Sequence, residues 1–316
     1  MVLTQQTLPE KRRPRLRELL AEDRLLRAIE CHHPLSAILG GTAVVGRGRE
    51  RLEFDLLWAS GFGHATAMGL PDAGLALLER RLDTIADIAT VSAKPIIADG
   101  DTGGDTLAFI YLCRRLEAMG VSGVVVEDKA GAKRTSLAAH VSHELEDPAT
   151  FVRKIEAARE SLLTPDFLIF ARIESLIAGA AFDESVLRAR QYLRSSADGI
   201  VIHSKDKSGA EILRFMRAYR DLQNELGVRK PLVCIPTSYN HITGAELFGQ
   251  GARIVIHGNH LVRAAYRGMQ LAAQSILQHD RSLEADATCA SVQELFESIG
   301  VDTPVAAGHT TATLDK

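Results

Sequence analysis

Residues 94–129 read KPIIADGDTGGDTLAFIYLCRRLEAMGVSGVVVEDK. Two short apolar runs, KPIIADGDTGG (94–104) and GVVVEDK (123–129), flank TLAFIYLCRRLEAMG (106–120), whose apolar residues recur at helical spacing. Gly120 stands where a helix C-cap is expected. Near-continuous Val/Ile runs suit strands buried on both faces, and a strand–helix–strand order implies parallel pairing. The same unit recurs outward in both directions. RAIECHH (27–33) and FDLLWASG (54–61) precede it, and DFLIFARIES (166–175), DGIVIHSK (198–205), PLVCIPTSY (231–239) and ARIVIHGNH (252–260) come after it. Helix-like segments lie at 147–162, 185–196 and 210–226, the first opened by an Asp-Pro start signal. Eight runs with intervening helices predict a (β/α)8 TIM barrel. A doubly wound open sheet is the alternative, and the count of eight favours the barrel.

The chain has 316 residues, 46% hydrophobic and 24% charged, which are ordinary globular proportions. Lys and Arg number 37 against 40 Asp and Glu, a formal net charge of −3. That excludes a global basic footprint for nucleic acid. No apolar run approaches the roughly 18 residues of a membrane helix. The N-terminus, MVLTQQTLPEKRRPRLRELL, lacks the apolar region of a secretory signal, and Glu10, Glu18, Glu22 and Asp23 argue against a transit peptide. Cys31, Cys113, Cys234 and Cys289 are scattered without metal spacing, so reduced thiols in a cytoplasmic protein are expected. The barrel is read as one domain over residues 1–316, with an N-terminal helical segment (1–26), a basic surface insertion GGTAVVGRGRERLE (40–53) and a C-terminal helical extension (261–300). The extension exceeds what closes a barrel, and the last residues, PVAAGHTTATLDK (304–316), read as a frayed end.

Polar residues gather at the C-terminal ends of the apolar runs, where barrels build their sites. They include Trp58, Ser60 and Gly61; Asp99 and Asp101; Glu127 and Lys129; Arg172 and Glu174; His203 and Ser204; Thr237 and Ser238; Asn259 and His260. Residues i and i+2 of a strand share a face, so Asp99 and Asp101 converge if the strand persists that far. With Glu127 they form an oxygen-rich site suited to Mg²⁺; the plainer reading is three solvated loop acids or helix N-caps. Arg172 leaves a strongly apolar strand, either paired with Glu174 or Glu127 or aimed at an anionic ligand. SGFG (60–63) can form an anion nest, although a tight turn needs the same glycines. His203 is either a hydrogen-bonded core residue or a proton-handling group.

In this order DGDTGG, GVVVEDK, KRTSL, ARIESLIAG, ADGIVIHSK, PLVCIPTSY and GNHLVRAAY resemble the phosphoenolpyruvate mutase / isocitrate lyase superfamily, within it the phosphoenolpyruvate mutase and phosphonopyruvate hydrolase branch. The likeness runs from about residue 27 to about residue 298, and no KKCGH-type loop of the isocitrate lyases occurs. The resemblance implies a modified barrel whose terminal helix is exchanged within a homodimer or homotetramer. It implies Mg²⁺ on Asp99, with Asp101 and Glu127 contributing directly or through water. Trp58, Ser60, Gly61 and Phe62 would line the carboxylate and enol end of the substrate. Asp72, in GLPDAG, matches the family's proposed nucleophile. Arg172 and His203 would hold and polarise the phosphoryl group, and Lys133, Thr135 and Ser136 would lie on a gating loop. The implied activity is interconversion of phosphoenolpyruvate and phosphonopyruvate, forming a carbon–phosphorus bond.

One position departs from the mutase pattern. Mutases usually read K-x-N-S on the gating loop, whereas Lys133-Arg134-Thr135-Ser136 carries Thr, as the hydrolases usually do. The Pro-Asp-Ala at 71–73 also resembles the hydrolase form, while ARIESLIAG, CIPTSYN and the SLEAD stretch (282–286) resemble mutases. The expectation is therefore a mutase, with the hydrolase second. An arsenic-analogue mutase and a lyase of 2-hydroxy or 2-methyl diacids are further alternatives.

Overall fold

The structure, a computed structural model, describes residues 6–46, 48, 51–136, 138 and 141–301. Eight parallel strands close into a barrel: β1 (Leu26–Cys31), β2 (Leu56–Ala59), β3 (Ile96–Asp99), β4 (Gly123–Glu127), β5 (Leu168–Ile173), β6 (Gly199–Ile202), β7 (Leu232–Cys234) and β8 (Ala252–His257). β8 pairs with β1 and closes the ring, Leu26 opposite Ile254. The predicted barrel is the observed one, and the open sheet is excluded. Each strand is shorter than the run that announced it, because the polar ends of the runs are βα loops. RAIECHH shows the offset: β1 stops at Cys31, since the His33 side chain accepts from Ser36 N at 3.1 Å and caps the next helix.

The helices are α1 (Pro9–Arg12), α2 (Arg15–Ala21), α3 (Pro34–Thr42), α4 (Gly61–Ala67), α5 (Leu78–Val91), α6 (Thr106–Ala118), α7 (Pro148–Ser161), α8 (Phe182–Arg194), α9 (Ala210–Leu226), α10 (Gly244–Gly249), α11 (His260–His279) and α12 (Val292–Ile299). One apolar layer joins the outer faces of the strands to the helices, through Ile29, Leu57, Val124, Phe109, Phe151 and Phe215. A second fills the barrel interior with Trp58, Ile97, Val125, Phe170, Val201 and Ile256. Leu16 and Leu19 of α2 belong to that interior cluster, so the N-terminal helix stoppers one end of the barrel. Arg12 ties this stopper down by donating to the carbonyls of Ala89 (2.5 Å) and Ser92 (3.0 Å).

The insertion expected from residue 40 starts later. Gly40, Gly41 and Thr42 finish α3, and Gly40 is there for proximity: a Cβ would lie 2.7 Å from Ile29 Cγ2. Beyond α3 the chain forms an exposed antiparallel pair, Val44–Val45 with Leu52–Glu53. Residues 47, 49 and 50 of the expected insertion and the expected frayed end, 304–316, lie outside the described residues. At the other end of the chain, α11 buries only Val262. It exposes Tyr266, Met269 and Leu277, and α12 exposes Val292, Leu295 and Ile299. Among the described residues no helix is long and apolar enough to cross a membrane.

Candidate active site

The C-terminal ends of the strands surround a cleft of about 470 Å³ measured out to its mouth. Every residue predicted for the site lines it except Gly61 and Asp101, which stand directly behind the lining. Thr237 and Asn259, from the ends of β7 and β8, complete the wall.

The three predicted metal acids come together: one oxygen from each of Asp99, Asp101 and Glu127 lies within 4.8 Å of the others. They do so by a different route from the one expected. β3 ends at Asp99, and Asp101 sits in a left-handed turn at φ 51°. The turn is stapled to the next strand, because Glu127 N donates to the Asp101 carbonyl at 2.7 Å. A second prop comes from α4. Ser60 caps it by accepting from Gly63 N at 3.1 Å, and Gly61 N donates to Asp99 Oδ2 at 3.1 Å. Position 61 has no room for a side chain: a Cβ would lie 2.9 Å from Asp101 Oδ1 and 3.1 Å from Asp99 Oδ2.

Cations surround these acids. Lys133 pairs with Asp101 and approaches Glu127 Oε1 (3.5 Å) and Asp72 Oδ1 (3.8 Å). Lys129 Nζ lies 2.6 Å from Glu127 Oε2, and Arg172 Nη1 lies 3.1 Å from Glu127 Oε1. Yet neither Glu127 oxygen accepts a directed hydrogen bond, although both are buried. Three converging carboxylates, one of them ion-paired yet without a directed hydrogen bond to either buried oxygen, fit a hard divalent cation.

Burial opposes ionisation of Asp101, but Arg81 and Lys133 outweigh it and hold its carboxyl below the usual range. Burial, with Asp101 beside it, pushes Asp99 up. Asp72 is also pushed up by burial, against the pull of Lys133 and of a hydrogen bond with the Thr135 side chain. A carboxylate poorly stabilised by solvent is a better nucleophile than a solvated one.

The opposite wall is built on β5 and β6. Register places Glu127 beside Arg172. Both partners expected for Arg172 from sequence are present: Glu174 Oε1 lies 2.5 Å from its Nε, besides the Glu127 contact. Its Nη2 also lies 2.8 Å from His203 Nδ1 and donates to Ser136 Oγ at 3.2 Å. Burial and Arg172 hold the His203 pKa below its ordinary value, against the pull of Glu174. Nδ1 stands between Arg172 Nη2 and Glu174 Oε1 (3.1 Å), so the ring accepts from the first or donates to the second according to its tautomer. Ser136 in turn donates to Glu174 Oε2 at 2.7 Å, which ties the loop of Lys133 to the barrel.

Arg81 is a site residue that the apolar runs do not announce. It lies on α5, a helix outside the predicted helix-like segments, and donates to Asp101 and to the Asp99 carbonyl. Its run, LERRLD, looks like a solvated charged face. The available signal is position: Arg81 falls on the stripe of Leu82, Ile85 and Ile88 that α5 buries.

Comparison with known proteins places this geometry. A family model described as phosphoenolpyruvate phosphomutase matches residues 16–277. The chain belongs to the phosphoenolpyruvate phosphomutase family. It is 35% identical over 287 residues to the phosphonopyruvate hydrolase of Variovorax sp. (strain Pal2), covering 90% of this chain and 93% of that one. It is 32% identical over 288 residues to the phosphoenolpyruvate phosphomutase of Tetrahymena pyriformis, covering 91% of each. A crystal structure of phosphonopyruvate hydrolase in complex with oxalate and Mg²⁺ superposes with a TM-score of 0.83 at 33% identity, covering 96% of this chain and 100% of that one. The family thus includes a mutase and a hydrolase at similar distance from this chain.

Proposed function

We propose that this family member is a Mg²⁺-dependent mutase that interconverts phosphonopyruvate and phosphoenolpyruvate. The observation that carries the reading is convergence of the phosphoryl-handling side chains on one cleft. Asp72, Lys133, Ser136, Arg172 and His203 all line it, and the loop bearing Lys133 and Ser136 is tied to the barrel beside it. A phosphoryl group passing between carbon and oxygen must be kept from water.

Asp99, Asp101 and Glu127 would hold the cation, with Gly61 N–H fixing the Asp99 carboxylate. When bound, Mg²⁺ would stabilise the negative charge that develops on the enol oxygen. From phosphonopyruvate, the phosphorus–carbon bond breaks and its electron pair becomes the pyruvate enolate. Asp72 receives the phosphoryl group, or Arg172, His203 and Lys133 hold it as a metaphosphate-like fragment. The enolate oxygen then attacks phosphorus, closing the ester and restoring Asp72. Trp58, Ser60 and Phe62 orient the pyruvate end.

Thr135 supports a second reading, hydrolysis to pyruvate and phosphate. Its side chain bonds Asp72, where the mutase pattern would place an amide. A shorter side chain leaves room for a water to take the phosphoryl group while a proton reaches C3. Phosphorus NMR of the protein with Mg²⁺ and phosphonopyruvate decides between them. Phosphoenolpyruvate is the expected product. Inorganic phosphate with pyruvate would overturn the mutase reading, and Thr135→Asn should then raise the share of phosphoenolpyruvate. The apolar surfaces of α11 and α12 fit the exchange of terminal helices in a homodimer or homotetramer, and the four free thiols fit a cytoplasmic setting.

A further inference from the structure

The residues around the cleft carry nearly balanced charge. Asp72, Asp99, Asp101, Glu127 and Glu174 face Lys129, Lys133, Arg172 and Arg81. These cations differ in kind. Lys133 sits on a loop beside the cleft, outside any helix or strand. Arg81 sits in the first turn of α5, buried, its two terminal nitrogens spent on Asp101 and on the Asp99 carbonyl. The carboxylates that act on it are Asp101, Asp99 and Asp72, all members of the site. His64, alongside on α4, is buried and held neutral by that burial and by Arg81, so it takes no share of the guanidinium charge. Arg81 Nε is buried without a hydrogen-bond partner among the described residues. Arg12 shares that unpartnered Nε, but its terminal nitrogens end on the structural carbonyls of Ala89 and Ser92, whereas those of Arg81 end on two acids of the site.

We propose that Arg81 is a positioning residue that neutralises one of the three metal-binding carboxylates in advance, so that a divalent cation binds firmly only together with an anionic substrate. With Arg81 in place, an arriving cation meets a site already close to neutrality, and its two charges leave a positive surplus. That surplus attracts a multiply charged phosphonate, and the coupling is reciprocal. The inference rests on the metal reading of the acidic triad.

The test is calorimetric titration of the full chain with Mn²⁺, with and without saturating oxalate. The wild type is expected to bind Mn²⁺ weakly alone and more tightly with oxalate. Arg81→Met should bind Mn²⁺ alone about tenfold more tightly, with a smaller gain from oxalate. Arg81→Lys, which keeps the charge and loses the fork, should track the wild type. Arg81→Met binding Mn²⁺ no more tightly than the wild type would overturn the proposal, as would Arg81→Lys tracking Arg81→Met. If Arg81→Met does not fold, Arg81→Gln replaces it, with the same expectation. A wild type that binds no Mn²⁺ even with oxalate would instead sink the metal reading itself.

Discussion

Glu127 and Asp128 are adjacent, both buried, and belong to opposite regimes. Glu127 faces the cleft, shares Lys129, Lys133 and Arg172 with other acids, and accepts no directed hydrogen bond. Asp128 faces the helix layer and is fully supplied. Its Oδ2 accepts from Tyr192 (2.8 Å) and Arg188 (3.0 Å), and its Oδ1 accepts from Glu174 N (2.8 Å). Burial still pushes its pKa up to about 6. The difference is one of purpose. A network that only holds the fold closes on itself, because each unmet buried polar group costs stability. In the cleft the cations are instead shared among several acids, and at Glu127 no directed hydrogen bond closes the set, which leaves a place for a ligand.

Substitutions on the two sides should separate activity from stability. The largest expected effect is that of Asp99→Ala, a loss of turnover of at least about 1,000-fold, equivalent to roughly 4 kcal/mol of lost transition-state stabilisation. Its thermal midpoint should change little, since crowding among acids is relieved; a collapsed circular dichroism spectrum would erase the distinction between the two networks. Arg188→Met works the other way. It strands Asp128 and should cost about 3 kcal/mol in denaturant unfolding, with turnover of the folded fraction nearly unchanged. Turnover lost in proportion to stability would show that the two networks act as one. Gly61→Ala sharpens the comparison at the boundary. The added methyl meets the Asp101 and Asp99 carboxylates, so activity should fall about 10–100-fold, most of it recovered at high Mg²⁺ if the defect lies in cation binding.

The sequence made the barrel legible because its strands are buried on both faces and appear as uninterrupted apolar runs. The cleft was legible for a related reason: polar residues end these runs in series, although Asp128 shows that any one of them can be structural. What the runs hid was anything carried by helices. Arg81 sits in a charged stretch of α5, and only its place in the buried stripe sets it apart from Arg80. The meeting of Asp99 and Asp101 was legible with the wrong geometry, because a left-handed aspartate leaves no periodic trace. Thr135 was legible as a departure, but one side chain does not fix the fate of a phosphoryl group.

The central claim, that the acids of the cleft wait for a cation while those behind it do not, is tested most directly by thermal unfolding with and without Mg²⁺ and oxalate. The wild type should be stabilised by both together, by about 2.7 kcal/mol at a hundredfold excess over the dissociation constant. Arg188→Met should start lower and gain as much, and Asp99→Ala should gain nothing. An Asp99→Ala protein that gains as much as the wild type would contradict the account.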